Sequence, residues 1–253
     1  MADAEEESDE DFVDNVFRFK KPLELFEERE IVRICAPMVR YSKFADGIDL
    51  NCGCPQRWAM QEGYGAKLIR TPELIKDIVR QTVSRVPGIP MSIKIRIHDD
   101  ARKTVQLCQQ AEKAGVAWIT VHGRTTRQRG EPANWDTIRL IKESLSIPVV
   151  ANGDIKSESD VRNVHEQTGV NGVMAARGML NNPAMYAGYD STPLQCVADW
   201  VDVALSLGTP FTSFHHHLMY MLEKVTTKAD RRVFSDLKST AAVLDYLNKH
   251  YDI

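Results

Sequence analysis

Short apolar runs alternate with amphipathic helical segments between residues 31 and 183, and this alternation constrains the fold more than any other feature. Six runs have the length and composition of buried strands: Ile31–Ala36, Gly47–Asn51, Ser92–Ile97, Trp118–His122, Pro148–Asn152 and Gly172–Ala175. The segments between them carry helix signals, such as Pro72 at the start of one helix and Gly169 after the end of another. Strands separated by helices are typical of parallel βα units, so the sequence predicts an α/β fold.

Two α/β architectures fit this alternation, a doubly wound sheet and a TIM (β/α)8-type barrel. In a barrel, functional residues lie at the carboxyl ends of several different strands. Here polar or unusual residues follow nearly every predicted strand, among them Asn51–Pro55, His122–Arg124, Asn152–Asp154 and Arg177–Gly178. The pattern therefore favours the barrel. A length of 253 residues is enough for one barrel and a small appendage.

The segment between the first two predicted strands is too short for a complete barrel. Only the residues 39–46 separate Met38 from Gly47, whereas a parallel crossover needs about a dozen residues or more and usually a helix. The first two strands are therefore not ordinary neighbours. Either two βα units are absent from the chain, or the run Ile31–Ala36 occupies an unusual position.

The strand pattern stops after Pro183, and the rest of the chain is predicted to be helical. The predicted helices are Pro193–Leu207, Phe211–Lys224 and Leu237–His250. We divide the chain into three parts: an acidic and disordered tail at 1–30, a barrel domain at 31–183 and a small C-terminal helical domain at 184–253. The tail holds 12 acidic and 4 basic residues, against 23 acidic and 28 basic residues in the remainder. The mildly basic remainder permits a polyanionic partner without requiring one.

Composition excludes several classes of protein. With 43% hydrophobic and 26% charged residues, the chain is not disordered, and no apolar run approaches the roughly 18 residues that span a membrane. Five cysteines, an odd number without an apolar signal segment, do not indicate a disulfide framework. We expect a monomer in a reducing compartment, the cytoplasm or the nucleus, with no membrane partner.

Two tripeptides at strand ends predict an anion site. Asn152–Asp154 follow the fifth predicted strand and Ala176–Gly178 follow the sixth. Glycine lets the backbone approach a ligand, and arginine forms paired hydrogen bonds with phosphate. Either tripeptide alone is also compatible with an ordinary turn, but in a barrel the loops after the last two strands often hold phosphate.

Three other positions carry candidate binding groups. Lys94 and Arg96 share one face of a strand, and an inward face would require an anionic partner, whereas an outward face would not. His122 ends a strand and either contacts a cofactor or is a satisfied core histidine. The run His215–His217 lacks matching cysteines or carboxylates, so we expect no metal site.

Cys54 is the candidate catalytic residue. A cysteine thiol is mostly protonated at neutral pH, so on a loop after a strand it can act as a general acid. A nucleophilic role would instead need a neighbouring base or a helix N-terminus to produce the thiolate. The run Cys52–Cys54 is not a redox C-x-x-C motif, and an inert cysteine is the alternative interpretation.

Taken together, these motifs resemble the flavin-dependent tRNA-dihydrouridine synthases, and most closely their eukaryotic members. The matching stretches are Ala36–Met38, Asp49–Gln56, Ser92–Arg96, Thr120–Thr125 and Val150–Ile155, and the similarity covers nearly all of residues 31–253. The resemblance implies reduction of the uridine C5–C6 double bond in the D-loop of tRNA, at U20a and U20b. It also implies FMN as the cofactor and NADPH as the hydride donor.

The resemblance assigns roles to individual residues. The residues that would border the flavin ring are Pro37, Met38 and Val39. Lys94 would face the pyrimidine edge of the ring. The residues that would hold the ribityl phosphate are His122, Asn152, Gly153, Asp154, Ala176 and Arg177. Cys54 would protonate C5 of the uracil, Asn51 and Arg96 would orient it, and the C-terminal helical domain would bind tRNA.

One departure from the family matches the short segment noted above. Two βα units, roughly 60 residues, are missing between about Phe44 and Asp46, including a strand with a flavin-contacting glutamine. We therefore interpret the chain as a shortened member with a barrel that lacks two strands. Two other functions stay open: a non-catalytic form that retains RNA or protein binding, and another FMN barrel oxidoreductase acting on a small pyrimidine.

Overall fold

The structure, a computed structural model, describes residues 32–35 and 46–253. Six strands form one parallel sheet: β1 (Val32–Cys35), β2 (Ile48–Cys52), β3 (Met91–Arg96), β4 (Trp118–His122), β5 (Val149–Asn152) and β6 (Gly172–Ala175). All six agree with the predicted runs to within about two residues. The acidic tail at 1–30 and the predicted flavin neighbours Pro37, Met38 and Val39 lie outside the described residues.

Ten α-helices occur in residues 46–253. They are α1 (Arg57–Gln61), α2 (Pro72–Arg85), α3 (Ala101–Ala114), α4 (Trp135–Glu143), α5 (Glu158–Thr168), α6 (Arg177–Asn181), α7 (Leu194–Ser206), α8 (Phe211–Met221), α9 (Lys228–Ser235) and α10 (Thr240–Tyr251), with short 3₁₀ helices at Gly65–Arg70 and Met185–Ala187. None of these helices is long and apolar enough to cross a membrane. Helices α1, α6 and α9 were not predicted, because each has eight residues or fewer and buries only one of them, which is too little for an apolar period to be recognised.

The order of strands in the sheet is β1-β6-β5-β4-β3-β2. The last strand therefore pairs with the first, as in a closed barrel, while β2 pairs with β3 and lies at the opposite edge. This arrangement confirms that the first two strands are not neighbours. Because every other consecutive pair of strands is adjacent, strands absent from the barrel belong between β1 and β2.

The two faces of the sheet have different surroundings. One face packs against the helices, with Ile93, Ile95 and Ile119 completely buried in the main core. The other face, by alternation, carries polar side chains such as Lys94 and Arg96. A separate core joins the helices α7 to α10 around Phe214 and Leu247. The two cores fit the division into barrel and helical parts, while the boundary at residue 183 stays a prediction.

The unpaired outer edge of β2 predicts weak cooperativity of unfolding. Strand β2 has no neighbour on its outer side in the described residues, and the side chains of Asp49 and Asn51 on its inner face are exposed. A closed barrel would bury that face and remove both edges. We therefore expect thermal melting, followed by circular dichroism, to give a broad transition. One sharp transition at about 45 to 65 °C, the usual mesophilic range, would show instead that six strands form a self-sufficient core.

Candidate functional site

The parallel register places the predicted polar residues on the inner face of the sheet. Asn51 is aligned with Lys94, and Arg96 is aligned with His122, which is aligned with Asn152. Each of these side chains lies at or near the carboxyl end of its strand. The structure thus brings predicted site residues from four strands to one end of the sheet, although they are separated by up to about a hundred residues in sequence.

Lys94 is half-buried and has an uncharged partner. Its Nζ donates to Asn152 Oδ1 at 2.8 Å, and Asn152 Nδ2 donates to the carbonyl oxygen of Met174 at 2.6 Å. Burial, assisted by the nearby charge of Arg96, lowers the pKa of Lys94 to about 8, although Asp49 acts in the opposite direction. An ammonium group in this position favours an anionic ligand in the barrel interior.

The loop that carries Cys54 is held by Asn51. Asn51 Oδ1 accepts hydrogen bonds from the backbone N–H groups of Gly53 and Cys54, each at 3.1 Å. The carbonyl oxygen of Cys54 accepts from the N–H of Ala66 at 2.9 Å. Cys54 is a free, half-buried cysteine. Its backbone is therefore fixed on both sides, just after the carboxyl end of β2.

Arg96 connects the Cys54 loop to the loop after β4. Its Nε donates to the carbonyl oxygen of Gly53 at 3.0 Å, and its Nη1 donates to the carbonyl oxygen of Thr125 at 2.8 Å. The guanidinium is half-buried. Two of its nitrogens thus hold the protein backbone, and the N–H groups on Nη2 have no partner among the described residues.

The six residues predicted to hold a phosphate all line one cavity of about 70 Å³. They are His122, Asn152, Gly153, Asp154, Ala176 and Arg177, and Arg124 and Lys156 join them in its wall. Arg177 and Lys156 are exposed, and neither side chain forms a hydrogen bond or ion pair among the residues that the structure describes, while the charge of Lys156 acts on the Asp154 carboxylate from a distance. The cavity therefore offers two available cations near backbone N–H groups, which suits a phosphate.

Two glycines allow the loops around this cavity to pack closely. Gly153 has φ +115°, and a Cβ there would lie 3.0 Å from both Ala133 Cβ and His122 Cδ2. A Cβ on Gly178 would lie 2.5 Å from the carbonyl oxygen of Ile155. A larger residue at position 153 would push the loop after β5 away from His122 and Ala133, and one at position 178 would push the start of α6 away from the loop after β5.

The carboxylate of Asp154 is already bound by protein groups and does not suit direct contact with a phosphate. Its Oδ1 pairs with Arg124 Nη2, and its Oδ2 accepts from the N–H of Ala133 at 2.8 Å. The residue adopts φ +49°, a left-handed conformation that is unusual outside glycine. A paired carboxylate would repel phosphate, so any contact made by Asp154 comes from its backbone.

Two residues that sequence reasoning left without a role belong to the site. Arg124 was visible only as part of the His-Gly-Arg run, and its long-range partner could not be inferred from that motif. Thr120 is completely buried beside Lys94, and its hydroxyl oxygen has no hydrogen-bond partner among the described residues. A buried orphan hydroxyl next to a buried ammonium fits a barrel interior that binds a polar ligand.

The histidine run lies away from this site. His215 is buried between Phe211 and Phe234, and its Nε2 lies 2.8 Å from the carbonyl oxygen of Phe234. Within residues 46–253, no three histidine, cysteine or acidic side chains come together as metal ligands do. His215 therefore contributes to the helical core.

The close packing of the loops around the cavity can be tested with Gly178→Ala. Because alanine is a better helix former than glycine, propensity alone predicts a gain of up to about 1 kcal/mol. The contact with the Ile155 carbonyl oxygen predicts instead a loss of about 1 to 3 kcal/mol in the free energy of unfolding. Urea unfolding measures the difference. Gly130→Ala is the control, since no atom lies within 4 Å of a Cβ there. Equal stability of wild type and Gly178→Ala would contradict the close packing of these loops.

The chain is similar to several known proteins. Residues 26–249 match a family model described as dihydrouridine synthase (Dus). A Homo sapiens protein named tRNA-dihydrouridine(20a/20b) synthase (NAD(P)+)-like is 47% identical over 304 positions, covering 93% of this chain and 96% of that protein. The Schizosaccharomyces pombe tRNA-dihydrouridine(20a/20b) synthase (NAD(P)+) is 43% identical over 210 residues, 82% of this chain and 64% of that protein. Old yellow enzyme from Trypanosoma cruzi aligns with a TM-score of 0.42 at 15% identity, over 56% of this chain and 42% of that one.

The alignment with the Homo sapiens protein contains many unfilled positions. It runs over 304 positions, but 93% of 253 residues is only about 235, so about 69 positions have no residue of this chain opposite them. The Mus musculus relative gives nearly the same numbers, 302 positions and 92% of this chain. These alignments agree with the predicted absence of two βα units.

Proposed function

This chain belongs to the dihydrouridine synthase family, and from that premise we propose that it reduces uridine to 5,6-dihydrouridine in the D-loop of tRNA, at U20a and U20b. One observation carries the proposal: Cys54, the Lys94–Asn152 pair and the phosphate-sized cavity lie at the carboxyl ends of strands in one sheet. A proton donor, a buried cation and an anion site in one place suit reduction of a polar double bond.

The residues present fit a flavin mononucleotide. The cavity beside Gly153 and Gly178 suits the ribityl phosphate, with Arg177 and Lys156 available to balance its charge. Lys94 is half-buried next to the orphan hydroxyl of Thr120 and suits the electron-rich edge of the ring. When bound, the flavin would supply the hydride, and NADPH would reduce the flavin again. Pro37, Met38 and Val39 are proposed ring neighbours on the resemblance alone.

Cys54 is the proposed proton donor. Its Sγ–H gives a proton to C5 of the uracil as a hydride reaches C6, and solvent then returns a proton to the thiolate. Asn51 fixes the loop through its Oδ1 and keeps its Nδ2 donors for the base. Arg96 has donors on Nη2 that no described residue occupies, and these suit a uracil carbonyl. These two residues therefore orient the base relative to the thiol.

The substrate must present its base to the end of the sheet. A uridine inside a folded tRNA is stacked, so it has to leave the stack to reach Cys54. We propose that residues 31–183 form the flavin-binding part and that the helices at 184–253 contact the tRNA. The separate core of α7 to α10 supports this division of labour.

The predicted absence of two βα units favours one competing function. The two missing βα units include the family's flavin-contacting glutamine, so a chain that binds RNA without catalysing reduction is the second candidate. The absorbance spectrum of the purified full chain at the flavin bands, followed by addition of NADPH, separates the two functions. We expect a bound flavin that NADPH reduces.

The tRNA dependence of the reaction completes the test. With undermodified tRNA, we expect NADPH oxidation to accelerate and dihydrouridine to form. A colourless protein that cannot be reconstituted with FMN would contradict the enzymatic function and favour RNA binding alone. NADPH oxidation that ignores tRNA but responds to a free pyrimidine would favour a small-molecule reductase.

A further inference from the structure

Arg124 is a buried guanidinium beside the phosphate-sized cavity, and only 4% of its surface is exposed. Its Nη2 pairs with Asp154 Oδ1, its Nε donates to the carbonyl oxygen of Glu131, and its Nη1 lies 3.3 Å from His122 Nε2. Asp154 is itself held by the N–H of Ala133. All three nitrogens of Arg124 are therefore directed at fixed partners.

The contact between Arg124 and His122 determines where the imidazole proton lies. Arginine is protonated at all relevant pH values and offers only hydrogen-bond donors. His122 Nε2 must therefore accept, and it carries a lone pair. A neutral imidazole has one N–H group, so the proton lies on Nδ1. A doubly protonated ring would bring two donors together at 3.3 Å.

The charges around His122 also favour the neutral ring. Lys94 and Arg96 on β3 and Arg124 on the loop after β4 all disfavour a positive charge there, and Asp154 on the loop after β5 is the opposing carboxylate. Burial, together with these three cations, lowers the pKa of His122 to about 3. The ring is therefore uncharged throughout the physiological range.

The other edge of the ring is left for a ligand. A Cβ on Gly153 would lie 3.0 Å from His122 Cδ2 and 3.3 Å from Nε2, so the loop after β5 covers the Cδ2–Nε2 edge of the ring and not the edge that carries Nδ1. His122 Nδ1 has no hydrogen-bond partner among the described residues. The ring lines the same cavity as Ala176 and Arg177. The one N–H donor of the neutral ring, which has no hydrogen-bond partner among the described residues, thus belongs to a side chain that lines the space proposed for the phosphate.

We propose that Arg124 is a positioning residue that holds His122 as the neutral Nδ1–H tautomer, which presents a single uncharged donor to the phosphate of the bound flavin. The identity of that ligand rests on the proposed function, whereas the tautomer does not. The positive charge that the phosphate requires then comes from Arg177 and Lys156. His122 contributes direction, and its contribution does not vary with pH.

Nitrogen NMR of the flavin-free full chain tests the tautomer. In a ¹⁵N-histidine sample, the signals of His122 are identified among those of the seven histidines by their loss in His122→Gln. We expect a protonated Nδ1 and an unprotonated Nε2, unchanged between about pH 5 and 8, where an ordinary histidine titrates. A proton on Nε2, or titration within that range, would overturn the proposal whether or not the chain binds flavin.

The role of Arg124 is tested with the double variant Arg124→Met/Asp154→Asn. Removing both charges avoids leaving an unpaired buried carboxylate. We expect His122 to titrate or to populate both tautomers in the double variant, and to keep the Nδ1–H form in Asp154→Asn alone. An unchanged Nδ1–H form in a folded double variant would show that Arg124 does not set the tautomer.

Flavin titrations test the ligand. We expect the double variant to bind FMN roughly tenfold more weakly, a loss of about 1.4 kcal/mol, and to bind riboflavin, which has no phosphate, as the wild type does. An equal loss for both flavins would contradict the assignment of Nδ1–H to the phosphate. A wild type that binds neither flavin would refute the proposed function and this ligand, while the NMR result still decides the tautomer.

Discussion

Cys54→Ala is expected to lower the rate of uridine reduction by roughly 10²- to 10⁴-fold, the usual contribution of a positioned general acid. Hydride addition at C6 leaves a negative charge on C5 and the adjoining carbonyl, and protonation of C5 neutralises it. Without the thiol, only water could supply that proton. The backbone of the loop is held by Asn51 and Ala66 and does not depend on the Cys54 side chain. Flavin content and reduction by NADPH should therefore remain unchanged.

The assay for this variant is dihydrouridine formed in undermodified tRNA under single-turnover conditions. Cys196→Ala is the matched control, because Cys196 is also free and half-buried but lies on α7. A loss of rate of only about threefold in Cys54→Ala, far smaller than the contribution of a general acid, would show that Cys54 is not the proton donor. Loss of bound flavin in the same variant would indicate a structural role.

Lys94→Met is expected to remove a pH dependence from the stability of the chain. Burial lowers the pKa of Lys94 to about 8 in the folded protein, against the model-compound value of 10.5. Between these two values the unfolded chain binds more protons, so the free energy of unfolding of the wild type rises with pH. At neutral pH the folded protein carries the cost of a buried ammonium, up to about 3 kcal/mol.

Urea unfolding of the flavin-free chains at about pH 7.5 and about pH 10 measures this effect. Relative to Lys94→Met, the wild type should gain about 2 kcal/mol across that range. Comparing the two proteins cancels the other groups that titrate there. Lys67→Met, at an exposed position, should behave as the wild type does. A constant difference between wild type and Lys94→Met would show that Lys94 titrates normally.

Local sequence signals were sufficient for most of the secondary structure. Ser157 caps α5 by accepting from the N–H of Asp160, and Gly169 ends it with φ +66°, as the helix signals predicted. The predicted helix at Leu237–His250 begins three residues late, at Thr240, because Ser239 is the residue that caps it. Such features involve residues only a few positions apart, so they can be inferred from a single sequence.

The order of the strands also followed from the sequence, through the length of one connecting segment rather than through motifs. The eight residues between Met38 and Gly47 cannot form a parallel crossover, so β1 and β2 had to be separated in the sheet. The same argument predicted where strands are missing. Polar residues after each strand then identified the functional end of the sheet, because parallel strands bring their carboxyl ends together.

What the sequence alone determined are the strands, the helix ends and the end of the sheet where the chemistry lies. Only the tertiary structure decided which of those polar groups meet. Lys94 reaches Asn152 across 58 residues of sequence, and Arg124 reaches Asp154 across 30. These pairs depend on strand register and side-chain direction, which no local pattern encodes. For the same reason the sequence could not show that the carboxylate of Asp154 pairs with Arg124, which in turn contacts His122. A phosphate contact made by the backbone of Asp154 stays a prediction.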